Sequence, residues 1–150
     1  MKGRVLVVAG SDSGGGAGIQ ADIKTITALG GYAMTAVTAL TAQNTKSVIA
    51  VHAAPPAVVA EQAQVTLEDL GADAVKTGML VGVAIIAAVA DSLDALAHGI
   101  PWVIDPVMVA KGGDRLLAED AAEALKVRLV AKAAVVTPNL PEAATLTGRK

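Results

Sequence analysis

Residues 10–22, Gly-Ser-Asp-Ser-Gly-Gly-Gly-Ala-Gly-Ile-Gln-Ala-Asp, combine backbone freedom with two carboxylates. Gly14, Gly15 and Gly16 let a main chain take positive φ and approach a ligand closely. A helix starting inside this cluster would aim its free N–H groups into the same space. That setting favours an anion by about 0.3–1 kcal/mol. Asp12 is placed to cap such a helix, and Asp22 falls about one turn in. The triphosphatase loop G-x-x-x-x-G-K-[ST] fails, because Ile23 stands before Lys24-Thr25. Gly16, Gly18 and Ala21 spell the dinucleotide pattern G-x-G-x-x-A, which also wants an acid about 20 residues on. No acidic residue occurs between Asp22 and Glu61. A glycine-rich turn with an Asp cap and no ligand is the plain alternative.

Alternating elements must position this loop. Val5–Ala9 reads as a strand, and residues 17–29 read as a helix with Ile19, Ile23, Ile26 and Leu29 near helical spacing. Strands are expected at 32–40 and 47–53. A helix is expected over 57–70, with Pro56 tolerable in its first turn. A short strand at 74–76, a helix at 82–97 and a strand at 102–105 follow. A helix at 115–129, a strand at 133–137 and a short helix near Pro141 complete the pattern. Strand–helix alternation predicts an α/β fold, a mainly parallel sheet with helices on both faces. Ligands in such sheets bind beyond the carboxyl ends of the strands. The candidate positions are therefore Gly10–Asp12, Thr41–Asn44, Thr77–Met79, Asp105–Met108 and Thr137–Asn139, although strand ends also carry ordinary turn residues.

Composition narrows the classes. The 150 residues are one domain's worth, with net charge −2 and acids and bases interspersed, so no nucleic-acid partner is expected. There is no cysteine, and the two histidines, His52 and His98, have no ligand spacing. No apolar run reaches the length of a membrane span. No signal peptide is read at Met-Lys-Gly-Arg, and a cytoplasmic protein is expected.

Five motifs occur in order: "AGSDSGGGAGIQADIKT", "TALTAQNT", "KTGML", "DPVMVAKGGD" and "TPNLPEA". Together they resemble the phosphomethylpyrimidine kinases of thiamine biosynthesis, in the ribokinase-like superfamily. The resemblance implies use of ATP with Mg²⁺. It implies phosphorylation of 4-amino-5-hydroxymethyl-2-methylpyrimidine, and then of its monophosphate. Matched motif by motif, Gly10, Asp22, Gln43, Met79 and Val107 correspond to pocket positions. Gln43 corresponds to the residue that recognises the pyrimidine: a carboxamide offers a donor and an acceptor in one plane, complementary to an aminopyrimidine edge. Asp105, Asn139 and Glu142 correspond to the metal and phosphate side. Asn139 and Glu142 also fit a helix capping box. Lys76 and Lys111 offer point charges to phosphate, or are plain surface lysines.

Members of that family continue past the position of Lys150, with further strands and a glycine-rich "GTG" loop that supplies an anion hole and the catalytic base. The expectation is therefore the N-terminal part of a single ribokinase-like domain, truncated at its C-terminus, with no catalytic residue of its own. An apolar strand at 133–137 left as an open edge invites pairing, and a homo-oligomer is expected. Pyridoxine or pyridoxal kinase activity is one alternative; a non-catalytic pyrimidine-binding module is another.

Overall fold

The computed structural model describes residues 2–109, 113, 116–118 and 120–149; Lys111 lies outside them. The elements are β1 (Arg4–Asp12), α1 (Gly18–Ala28), β2 (Tyr32–Gln43), β3 (Val48–Ala53), α2 (Pro56–Leu70) and β4 (Ala74–Thr77). They continue with α3 (Val83–Leu96), β5 (Trp102–Ile104), α4 (Ala121–Arg128), β6 (Val135–Val136) and α5 (Leu140–Thr147). A 3₁₀ turn at Val130–Lys132 joins α4 to β6.

The strands form one sheet in the order β3-β2-β1-β4-β5-β6. Among the described residues every pairing of these strands is parallel except β2 with β3. The reason is chain length: residues 44–47 are too few for a crossover, so β3 returns as a hairpin. Pairing of Ser11 with Leu40 and of Asp12 with Thr41 carries β1 and β2 three residues beyond the runs read from sequence.

The core lies on one face of the sheet. Leu6 and Val8 of β1, with Met34 and Ala36 of β2, meet Val59, Ala63 and Leu67 of α2 and Ile86, Val89 and Leu93 of α3. Alternate strand residues face that side, while the helices supply the stripe that three- and four-residue spacing produces. Fully burying each of the larger side chains is worth about 1.5–3 kcal/mol. On the other face, α1 lies over β1 and β2 with no residue of its own fully buried. Helices thus cover both faces, as expected.

Two expected elements are shorter. The helix expected over 115–129 begins at Ala121. Residues ahead of it are held elsewhere: Leu116 and Leu117 donate to the Met108 carbonyl at 2.9 and 3.1 Å, and Ala118 donates to Val81 at 2.9 Å. The strand expected at 133–137 shrinks to Val135–Val136, because its neighbour β5 is itself only three residues long. Among the described residues no helix is long and apolar enough to cross a membrane.

One side chain ends the β2–β3 ladder. Ala54 makes the last bond, donating to Thr38 at 2.9 Å, and Pro55 has no N–H to continue it. The Gln62 carboxamide from α2 then serves as a peptide would. Its Oε1 accepts from Val37 N at 3.0 Å, and its Nε2 donates to the Val37 carbonyl at 3.2 Å. Gln62→Leu keeps the volume and strands both groups. It is expected to cost about 1–3 kcal/mol, read from the urea midpoint at unchanged slope.

Candidate functional site

A cleft of about 280 Å³ opens at the carboxyl ends of β1, β2, β4 and β5. The chain leaves β1 for β2 on one side and reaches β4 on the other, so the cleft sits where the strand order reverses. Gly10, Asp22, Gln43, Met79, Asp105 and Val107 all line it. Asn139 and Glu142 lie outside its lining.

The glycine loop is organised by Asp12, a residue only 7% exposed. Oδ1 accepts from Gly14 N at 2.8 Å, while Oδ2 accepts from Gly16 N at 3.0 Å and Ala17 N at 2.8 Å. Gly15 N is taken by the Asp12 carbonyl at 3.0 Å. This corrects the expectation for the loop. The donors of Gly14 to Ala17 do not face open space to await an anion, because Asp12 already stands there. Nor is Asp12 the helix cap: α1 has Ala17 at its N-cap and no side-chain cap bond. Gln20, reaching back from α1, ties the helix to the end of β1. It accepts from Asp12 N at 2.8 Å and donates to Ser11 Oγ at 2.7 Å.

Two glycines make close approaches, one to backbone and one to a flexible side chain. Gly18 has φ +55°, and a Cβ there would collide with the Gly10 carbonyl oxygen. That absence lets α1 seat directly on β1. At Gly10 a Cβ would lie 2.5 Å from the Met79 methyl carbon. Met79 is nearly buried and its carbonyl accepts from Thr38 Oγ1 at 2.6 Å. The turn behind it is strained: Val81 has φ +65°, and Gly82 N donates back to Leu80 O at 2.7 Å. A β-branched residue there costs about 1–3 kcal/mol, held in place by the surrounding bonds.

Gln43 is fastened to the same loop. Its N–H donates to Ser13 Oγ and its carbonyl accepts from that hydroxyl, each at 2.8 Å. Thr41 Oγ1 lies 2.9 Å from the Ser11 carbonyl and 3.2 Å from Gln43 Oε1. Loop, strand end and amide are therefore one assembly.

Across the cleft stands a charge cluster. Lys76 Nζ lies 3.1 and 2.9 Å from the two Asp22 oxygens and 3.8 Å from Asp105 Oδ2. Lys76 thus sits between carboxylates rather than on open surface. Burial pushes the Asp105 carboxyl above its ordinary 3.8; Lys76 opposes the rise, and the Glu142 and Asp22 charges add to it. Glu142 is buried. Its Oε2 accepts from Asn139 N at 2.9 Å and its Oε1 from Met108 N at 3.4 Å, while Asn139 Oδ1 accepts from Glu142 N at 2.9 Å. The expected capping box is therefore present, and it holds the loop after β5 as well.

Sequence reasoning passed over Ser13 and Gln20, and marked Thr41 only as part of the strand end Thr41–Asn44. The only signal for Asp12's role is the Asp-x-Gly spacing of a side chain bonding its own backbone two residues on. Ser13 and Thr41 act across about 30 residues of chain, and no local pattern encodes that.

The reversal in strand order and the cleft beside it are those of the ribokinase-like kinases, which supply the chain's structural neighbours. One of them, phosphomethylpyrimidine kinase of Clostridium difficile 630, superposes with a TM-score of 0.90 at 44% identity, over 98% of this chain and 63% of that one. The Staphylococcus aureus pyridoxal kinase, in complex with AMP-PCP and pyridoxal, superposes at 0.81 with 40% identity, over 97% of this chain and 51% of that one. The family model for phosphomethylpyrimidine kinase matches residues 12–150, and the chain belongs to that family. A hydroxymethylpyrimidine/phosphomethylpyrimidine kinase of Mycobacterium leprae is 51% identical over 145 residues, which are 97% of this chain and 52% of that protein. The chain spans about half the length of most of the curated relatives it matches.

Asp105 ties stability to pH. Its folded carboxyl keeps a proton at pH values where the unfolded one has lost it. Native stability therefore falls as pH rises from 3.8 through the higher folded value. Asp105→Asn is expected to gain stability relative to the native chain over that rise, measured by urea melts between about pH 4 and pH 7. A difference between the two proteins that stays flat across the range refutes the assignment.

Proposed function

We propose that the chain forms the substrate-binding half of a cytoplasmic, ATP-dependent kinase. Its substrates would be 4-amino-5-hydroxymethyl-2-methylpyrimidine and the corresponding monophosphate. The observation that carries this reading is the position of Gln43. A carboxamide held by its own main chain against the glycine loop faces a cleft whose far wall bears Asp22, Lys76 and Asp105. The amide supplies a donor and an acceptor for the edge of a ring, and a site built that way rejects a ring lacking the complement. Gly10 and Met79 give the ring an apolar, close-fitting surface; Val107 adds to it.

In this reading the charged wall serves the hydroxymethyl and phosphate side. Mg²⁺ holds several waters and takes only one or two protein carboxylates. The donor set fits that sparing use. Asp105 is partly exposed and would meet the ion directly. Glu142, both of whose oxygens already accept main-chain N–H groups, would contribute its charge through water. When bound, the ion would neutralise phosphate charge. Lys76 would keep Asp22 and Asp105 from repelling each other. Phosphoryl transfer rests on positioning and charge stabilisation, and turnover in this reading draws on the part of the relatives' length that this chain does not span.

Pyridoxal phosphorylation is the second reading, favoured by the likeness to the pyridoxal kinase complex. A binding module without turnover is the third. Calorimetric titration with the pyrimidine, with pyridoxal and with Mg-ATP separates the three. The aminopyrimidine is expected to bind in preference to pyridoxal. Gln43→Leu is expected to weaken that binding by about 1–3 kcal/mol. Unchanged affinity in the variant removes Gln43 from the ring.

Self-association belongs to the same proposal. Ile49 and Val51 on the edge strand β3 are exposed, and an exposed apolar edge recruits another strand. Size-exclusion chromatography is expected to return a species larger than the monomer; a monomer that persists across dilution counts against it.

A further inference from the structure

We infer that Thr41 sets the sense in which the Gln43 amide faces the cleft, with Nε2 turned to Thr41 and Oε1 left for the ligand. The inference rests on the reading of Gln43 as the ring-recognising residue and adds the direction in which it reads.

A hydroxyl has one proton to give and two lone pairs. Thr41 Oγ1 lies 2.9 Å from the Ser11 carbonyl oxygen. That oxygen can only accept, so the Thr41 proton goes to it. The Thr41 oxygen then meets Gln43 with lone pairs alone. The near atom of the amide, 3.2 Å away, stands as Oε1, which would set two acceptors against each other. The two ends of a carboxamide have the same shape and are told apart by the bonds they can make. A half-turn about the last side-chain bond places Nε2 beside Thr41 as a donor. Among the described residues no other hydrogen bond opposes that turn: the Gln43 main chain is fixed by Ser13 at both its N–H and its carbonyl, and neither bond involves the amide.

The consequence is an ordered edge. One Nε2 proton, the one pointing away from the amide oxygen, goes to Thr41. Oε1 and the other Nε2 proton remain side by side toward the cleft. A 4-aminopyrimidine edge offers a donor at the amino group and an acceptor at the adjacent ring nitrogen, which matches with the amino group on Oε1. A 4-oxopyrimidine offers the same pair in reverse, an oxygen acceptor beside a ring N–H. With the ring held the same way round by its 5-hydroxymethyl arm, it matches only the opposite amide sense. Thr41 is therefore a positioning residue for specificity. It rejects the oxo ring because a turned amide would lose its bond to Thr41 and set acceptor against acceptor.

Two measurements test this. In the ligand-free protein, the side-chain NH₂ protons of Gln43 are expected to show a nuclear Overhauser contact with the Thr41 methyl group. NH₂ protons that contact only the cleft side overturn the inference. Calorimetry then uses two probes, 4-amino-5-hydroxymethyl-2-methylpyrimidine and its 4-oxo counterpart. The native protein is expected to prefer the amino form. The near-isosteric Thr41→Val is expected to reduce that preference about tenfold, and Thr41→Ser to restore it. Equal weakening toward both probes in Thr41→Val marks a purely structural residue and overturns the inference. With the Overhauser contact present and neither probe bound, the amide sense stands and the pyrimidine reading falls.

Discussion

The cleft depends on one carboxylate that fills the place the glycine loop would otherwise offer an anion. Asp12 gathers the N–H groups of Gly14, Gly16 and Ala17. Each such bond to a charged acceptor is worth about 1.5–3 kcal/mol. Together they offset the entropy of freezing three glycines into one path. The frozen loop then has somewhere to send Ser13, whose hydroxyl fastens Gln43 by both main-chain groups. An unbound loop of this composition would have no fixed relation to the tip of β2.

The opposite wall follows a second constraint, the meeting of several negative side chains around one lysine. Asp22 comes from α1, Asp105 from the end of β5 and Lys76 from β4. Three elements that share no local sequence are thereby drawn to one point above the sheet. Glu142 stands behind them as part of the cap of α5, and its charge is felt at Asp105. Capping and electrostatics are one act there: the carboxylate that satisfies the first turn of α5 also holds the Met108 N–H after β5.

Much of this was legible in the sequence, for reasons that can be named. Strand–helix alternation is a local signal, and it placed every strand and helix in order. The glycine cluster and the polar residues at strand ends marked the cleft before any coordinates. The five motifs gathered six of eight named site residues into one lining. Illegible features were those set by tertiary partners. Residues 116–118 have helical composition but spend their N–H groups on Met108 and Val81. The loop donors read as an open anion cradle because the Asp-x-Gly spacing signals the bond from Gly14 to Asp12 but not those from Gly16 and Ala17. Lys76 read as a charge for phosphate or a plain surface lysine, and its carboxylate partners were not legible because they lie 54 and 29 positions away in sequence.

The approach of Gly10 to Met79 bears on how such a cleft diversifies. One methyl group added at residue 10 would claim the space of the Met79 terminal carbon, the far end of an unbranched, pliable side chain. The thioether would swing aside and the backbone would stay. The outline of the cavity would then change while every polar contact kept its place. Bulk traded between these two positions would reshape that wall of the cleft without moving a hydrogen bond.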